Sequence, residues 1–508
     1  MRGSPGPVVV AGGARAAAPG AAGRPGSAII RTAVAAVLSL VGALPAAAQI
    51  PATSEARMAA VERGLVPAVL IEGRERPTLT LRDRMEHYGV PGVSVAVVHD
   101  GRIDWARGYG LADVASGREV TPHTLFQAAS MSKPVAALAA LQLVERGRLT
   151  LDADVNGTLE GWKVPENDLT GRQPVTLREL LTHTAGLTVH GFRGYAAGEA
   201  VPTVIQVLDG AEPANSDPVR VDIRPGSEWR YSGGGYTVVQ ELVSEMTDAP
   251  FATIMRRRVL EPLDMRESTY EQPLPEDRRD VAATGYRSGG DPVRGRYHTY
   301  PEMAAAGLWT TPSDYARYVL GIQRTLAGQE APVISREMAE AMVTPGLGDW
   351  GLGPAIAGEG DALRLVHGGA NEGFRSEFVG FARRGEGVVV MTNSDRGSPL
   401  AREIVLAVAD VYGWPAPAPE TVRPVPLTSD EAGAFVGEYR VGDVRLVVRR
   451  DGRDLTLTQD ELTPFDLVPL GDDAFLMLGA GRRIEFERDE EGTVVALVAG
   501  GTRIAKVR

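Results

Sequence analysis

Phe126-Gln127-Ala128-Ala129-Ser130-Met131-Ser132-Lys133-Pro134 runs straight into Val135-Ala136-Ala137-Leu138-Ala139-Ala140-Leu141-Gln142-Leu143-Val144-Glu145-Arg146-Gly147. Apolar residues recur at Val135, Leu138, Ala139, Leu141 and Leu143, which predicts a helix beginning near Ser130. Gly147 is placed to end it, just past the C-cap. Pro134 fixes the start to within a few residues, because only the first turn has backbone N–H groups without an intrahelical partner. Positions three apart share a helix face, so the Lys133 amine is expected one turn from the Ser130 hydroxyl. That sets a nucleophile beside a candidate base at the positive end of a helix dipole. Taken alone, S-x-x-K is also what an ordinary capped helix with a surface lysine looks like. The rest of the chain has to decide.

At 508 residues the chain is too long for one core, and two folded domains are expected. A hydrophobic content of 44% with 23% charged residues suits a globular protein. The net charge of −12 argues against nucleic acid or anionic lipid as a partner. Cysteine is absent, which removes disulfides, thiol catalysis and zinc–thiolate sites together. No acidic residue precedes Glu55, and Arg31 flanks a short apolar run that ends in Ala46-Ala47-Ala48. This has the form of a secretory signal cleaved after Ala48, within a leader spanning residues 1–48. The run is too short and interrupted for a membrane span, so the mature chain is expected to be exported, periplasmic or secreted, without a stable span.

Past the leader, Val93–Val98, Asp100-Gly101 and Ile103–Ala106 predict a hairpin with an Asp-Gly turn. Leu151–Gly157 imitates the opening of a calcium loop, but Lys163 stands where a bidentate Glu is needed, so it is read as a turn-rich connection. Thr176-Leu177-Arg178-Glu179 is a capping box opening a helix that ends near Gly186, and His183 in its last turn is read as structural. Tyr231-Ser232-Gly233-Gly234-Gly235 forms a permissive loop leading into a helix from Thr237. It lacks the Gly-Lys-Ser/Thr ending of a phosphate loop. His367-Gly368-Gly369-Ala370, Phe378–Phe381 and Gly387–Asn393 read as strands closing a sheet, and a last helix is expected over Pro399–Tyr412. Residues 415–426 form a stiff Pro-rich linker, placing a first domain at 49–414. Beyond it, residues 427–508 carry short alternating runs broken by Gly and Asp, the pattern of a small antiparallel barrel.

Ser130-Met131-Ser132-Lys133, Tyr231-Ser232-Gly233 and His367-Gly368-Gly369 stand in the order and near the spacing of three motifs of the serine β-lactamase and penicillin-binding-protein superfamily. Over about residues 80–412 the chain resembles its class C-like branch, which includes class C β-lactamases, DD-peptidases, D-aminopeptidases and family VIII carboxylesterases. The resemblance implies an α+β fold of the β-lactamase/transpeptidase type, an antiparallel sheet flanked by helices with an all-helical lobe. The segment after the linker is similar to the lipocalin-like barrels appended to some members. Two positions depart from the pattern. Gly233 stands where Asn is usual, and His367 where Lys is common.

The resemblance implies a serine hydrolase that forms an acyl-enzyme on Ser130, with Lys133 and Tyr231 acting as a pair. It places the oxyanion donors at the backbone N–H groups of Ser130 and Ala370, and substrate contacts at Gly233, His367, Gly368 and Gly369. No metal or organic cofactor is implied. The substrate would be a small carboxyl ester or a D-amino-acid peptide or amide, cell-wall-derived peptides among them. With Gly233 and His367 in place, poor β-lactam turnover is expected. The rival is a catalytically silent member serving as a binding or scaffold protein. A lysine at its ordinary pKa is neutral only ~0.1% of the time at pH 7, so burial has to lower Lys133 if it is the base. Tyr231 would share that role if Lys133 in turn depressed its phenol. His367 is expected to charge near pH 6.5 and to offer a carboxylate anchor below it.

Overall fold

The computed structural model describes residues 50, 52–330, 332–442, 444–459, 464–478, 482–500 and 502–507. The expected signal segment and cleavage point lie outside the described residues. Seven strands make the central sheet: β1 (Gly92–His99), β2 (Arg102–Asp113), β3 (Arg118–Glu119), β4 (Ala355–Ala357), β5 (Arg364–Asn371), β6 (Phe374–Phe381) and β7 (Gly387–Thr392). Their order is β3-β2-β1-β7-β6-β5-β4, with antiparallel pairing throughout. The β1–β2 hairpin turns at Asp100 and Gly101, both with positive φ, as the Asp-Gly signal predicts.

β1 is apolar on both sides because both faces of the sheet are covered. Val95, Val97, Val388 and Val390 face Leu400, Ile404 and Val408 of a C-terminal helix, Gly397–Val411. Ala96, Val98, Val389 and Met391 face the opposite core, which contains α1 (Ser132–Glu145). Twelve of the fourteen α1 residues are buried, so this helix is the centre of the fold and not an amphipathic surface element. Its start differs from the expectation by two residues. Ala129–Met131 forms a 3-10 turn, and the α-helix begins at Ser132. Gly147 adopts φ 64 and donates its N–H to the Val144 carbonyl, ending the helix in the left-handed position where glycine pays no steric penalty.

The helical lobe contributes α2 (Leu177–Thr182), opened by the Thr176/Glu179 capping box, and α3 (Gly233–Thr247), capped by Ser232. The glycine run belongs to the first turn of α3, not to a loop before it.

The C-terminal part is a closed antiparallel barrel of eight strands between Gly437 and Lys506. Phe435, Tyr439, Phe475 and Phe486 pack its interior, so it has a filled core and not a ligand cup. The segment before it is not a free spacer. Glu420–Val422 pairs in parallel with Val69–Ile71, and Val425 N–H donates to the Pro469 carbonyl of the barrel. Val69, Ile71, Val422, Val468 and Leu476 form one apolar cluster, which ties the N-terminal segment, the Pro-rich segment and the barrel together.

Candidate active site

Ser130 lies in the 3-10 turn that carries the chain into α1, and Ala129 before it holds φ 50, a left-handed conformation costly for a residue with a Cβ. The turn is braced from several sides. The Ser132 hydroxyl donates to the Ala129 carbonyl and accepts from Leu308 N–H, while Tyr315 and Tyr270 donate to the carbonyls of Met131 and Ser132. Lys133 follows on the first turn of α1, 2% exposed, with Nζ 3.0 Å from Ser130 Oγ and 2.8 Å from the Ala305 carbonyl that accepts from it. No carboxylate pairs with this amine among the described residues. Burial lowers its pKa to about 7, so at neutral pH a large fraction is the free base.

Tyr231 enters from the turn before α3, its ring 4.9 Å from Lys133 Nζ. Its hydroxyl faces Ser130, close enough for that hydroxyl to favour its ionised form, yet it makes no hydrogen bond of good geometry among the described residues. Burial outweighs this effect and pushes the phenol well above the ordinary tyrosine value. The idea that Lys133 would depress Tyr231 is therefore corrected. Desolvation of the phenolate outweighs the contact with Ser130, and no effect of Lys133 offsets it.

β5 closes the other side. Gly369 runs so near Ala128 that a Cβ would sit 2.2 Å from that carbonyl and from Ser376 Oγ, so only glycine fits there. Gly368 has ordinary room, and the close approach at Gly369 is to the protein's own backbone. Beyond its short pairing with β4, this edge of β5 pairs with no strand among the described residues, and a cavity of about 760 Å³ runs along it. Ser130, Tyr231, His367, Gly368, Gly369 and Ala370 all line this cavity, with Lys133 beneath its floor. Gly233 does not line it. A Cβ there would meet the His190 carbonyl and Phe192 ring at 3.1 Å, so this position packs against the 190–192 loop. The lining of the cavity thus does not include the contact expected at Gly233.

His367 also departs from expectation. Its Nδ1 lies 2.6 Å from the Gly368 carbonyl, which can only accept, so the ring proton is on Nδ1 and Nε2 carries a lone pair. Burial, helped by the nearby Lys133, lowers its pKa to about 3. His367 is a neutral acceptor across the physiological range and not a cationic anchor.

Four aromatic residues that sequence reasoning did not place in the site belong to it: His183, His190, Trp229 and Trp350. Trp229 and Trp350 stand 5.4 Å apart as a wall, and His190 lies 4.9 Å from the Tyr231 ring. Trp229 stands two residues before Tyr231 and His190 four after Gly186, so proximity is a usable signal. Trp350 had none. The cavity continues past the sheet edge to Arg364, to the Arg402–Glu377 pair at 3.2 Å, and to Pro417 of the Pro-rich segment.

A serine held against a buried amine, with a protonated phenol opposite and the β5 edge beside it, can perform acyl transfer. Residues 79–412 match the Beta-lactamase family. The chain belongs to that family. Within it, the chain is 35% identical to Esterase EstB of Burkholderia gladioli over 219 residues, 40% of this chain and 53% of that protein. It is 28% identical to Protein flp of Staphylococcus aureus (strain N315) over 227 residues, 44% of this chain and 42% of that protein. The chain thus spans about half the length of the curated relatives it matches. Among solved structures, the octameric penicillin-binding protein homologue from Pyrococcus abyssi shares the fold. It has a TM-score of 0.58 and 22% identity, covering 84% of this chain and 98% of that one.

Proposed function

We propose that this member of the Beta-lactamase family is a serine hydrolase that cleaves carboxyl esters through an acyl-enzyme on Ser130. The observation that carries the reading is the 3.0 Å contact between Ser130 Oγ and an amine brought to about pH 7 by burial. The name of the EstB relative supports an ester substrate.

Neutral Lys133 takes the Ser130 hydroxyl proton as Oγ bonds to the substrate carbonyl carbon. The carbonyl π electrons move to oxygen, where the backbone N–H groups of Ser130 and Ala370 receive the negative charge, each worth roughly 3–4 kcal/mol by analogy. The intermediate collapses by breaking the bond to the leaving oxygen. Tyr231, kept protonated, donates to that oxygen and is recharged from the Lys133 ammonium. Water then repeats the sequence on the acyl carbon, giving its proton to Lys133, and Ser130 regains its own.

Esters with apolar or aromatic groups fit the cavity best, because Trp229, Trp350, Tyr231 and His190 line it. D-Amino-acid amides remain a second substrate class. β-Lactams fit poorly, since Gly233 brings no amide contact to the cavity lining and His367 carries no charge for a carboxylate. A panel of p-nitrophenyl esters, D-amino-acid anilides and nitrocefin tests this. Esters should turn over fastest, and nitrocefin exceeding every ester would reject the reading. Fluorophosphonate labelling located at Ser130 by mass spectrometry tests the nucleophile. Export rests on the 29–49 segment alone, and an N-terminus at Gln49 in the secreted or periplasmic fraction is the expected result.

A further inference from the structure

His183 takes no part in the proton transfers above, yet it touches the site more intimately than a helix-end residue needs to. It is the C-cap of α2, at φ 59, 2% exposed. Arg230 N–H donates to its backbone carbonyl at 2.8 Å, and Ser232 N–H donates to its Nδ1 at 3.1 Å. The residues on either side of Tyr231 are thus both bonded to this one histidine. Its ring also lies against the Tyr231 ring, centroids 4.2 Å apart and planes 32° from parallel, with Trp350 edge-on at 4.9 Å. Because Nδ1 accepts, the proton sits on Nε2, which makes no hydrogen bond among the described residues.

We infer that His183 is a positioning residue: by clasping the backbone on both sides of Tyr231 and stacking on its ring, it aims the phenol at Ser130. Its left-handed backbone turns the chain so that carbonyl and ring reach the same three residues, which gives the strain at this position a purpose. A buried, neutral imidazole suits the task, since it can accept a backbone N–H without bringing charge beside Lys133. Misplacing a catalytic group by about 1 Å can cost on the order of 100-fold in rate, so the effect should appear in kcat.

The inference rests on the proposed role of Tyr231, and the test separates the two. His183→Phe, Tyr231→Phe and the double variant are assayed with p-nitrophenyl butyrate alongside wild type. His183→Phe should lower kcat at least tenfold with KM within about threefold, and the double variant should be no slower than Tyr231→Phe alone, because both changes act through one phenol. His183→Asn, which tolerates positive φ and offers an acceptor oxygen, should recover part of the loss. Multiplicative losses in the double variant, or a fully active His183→Phe, would overturn the inference while leaving an inactive Tyr231→Phe to support the site. A fully active Tyr231→Phe would overturn the site reading itself. Should the variants not fold, ¹⁵N-imidazole spectra of the wild type decide. A neutral Nε2–H tautomer between pH 5 and 8 is expected, and an Nδ1–H or doubly protonated ring would overturn the clasp.

Discussion

Lys133 Nζ stands 3.0 Å from Ser130 Oγ with no carboxylate among the described residues to hold it charged, and burial brings it to about pH 7. The neutral amine is the active form. Ester hydrolysis should therefore rise with pH through about 7, level above it, and fall about tenfold per unit below pH 6. A kcat/KM profile between pH 5 and 9 checks this, and a rate independent of pH over that range would remove Lys133 as the base.

Ser130→Ala should abolish turnover and leave the Tm within a few degrees, since it removes a small hydroxyl whose hydrogen-bond partner is Lys133 Nζ. Lys133→Ala and Tyr231→Phe should lose about as much activity as Ser130→Ala, because groups acting as a unit are not additive. Retention of more than a tenth of wild-type rate in Lys133→Ala would contradict the assignment.

A carboxylate-bearing ester should show no change in KM attributable to His367 between pH 5 and 8, because His367 charges only near pH 3. His367→Gln should keep the wild-type pH profile of KM even if kcat falls. A KM that drops below pH 6.5 in wild type and not in His367→Gln would show that this imidazole titrates after all.

Glu302 is fully buried, its carboxylate oxygens have no hydrogen-bond partner among the described residues beyond a weak contact with its own backbone N–H, and burial raises its pKa to about 8. Between about pH 4.5 and 8 the folded chain holds a proton that the unfolded chain has lost. Stability should fall as pH rises through this window, by up to ~1.4 kcal/mol per unit from this group alone. Glu302→Gln should flatten the slope and raise Tm at pH 8, measured by denaturation from pH 5 to 8. An unchanged slope would show that Glu302 is ionised in the fold.

Removing the chain after Pro426 strips Val468 and Leu476 from the apolar cluster with Val69, Ile71 and Val422. The truncated protein should unfold several degrees lower than the full chain. Since Pro417 lines the cavity and the same segment is anchored to the barrel through Val425 and Pro469, its ester kinetics should also change. Identical KM and kcat across the ester panel would make the barrel a structural appendage.

Local signals in the chain were enough for what short-range physics decides. Pro134 and Gly147 bracket α1, Thr176 and Glu179 cap α2, and Asp100-Gly101 turns the β1–β2 hairpin, each through steric or hydrogen-bonding demands within a few residues. Three motifs in order named the family and put Ser130 beside Lys133, because a helix turn alone sets that spacing. Strands at Gly437–Val441, Phe465–Gly471 and Thr502–Lys506 were not legible, being short, polar on one face or interrupted by Pro469. Burial was decided only by tertiary structure. The charge states of Lys133, Tyr231 and His367 follow from desolvation by segments more than a hundred residues apart, which no local pattern records. The same holds for His183. Its place at the end of α2 was readable from the capping pattern, but its grip on Tyr231, 48 residues further on, exists only once α2 and α3 pack together.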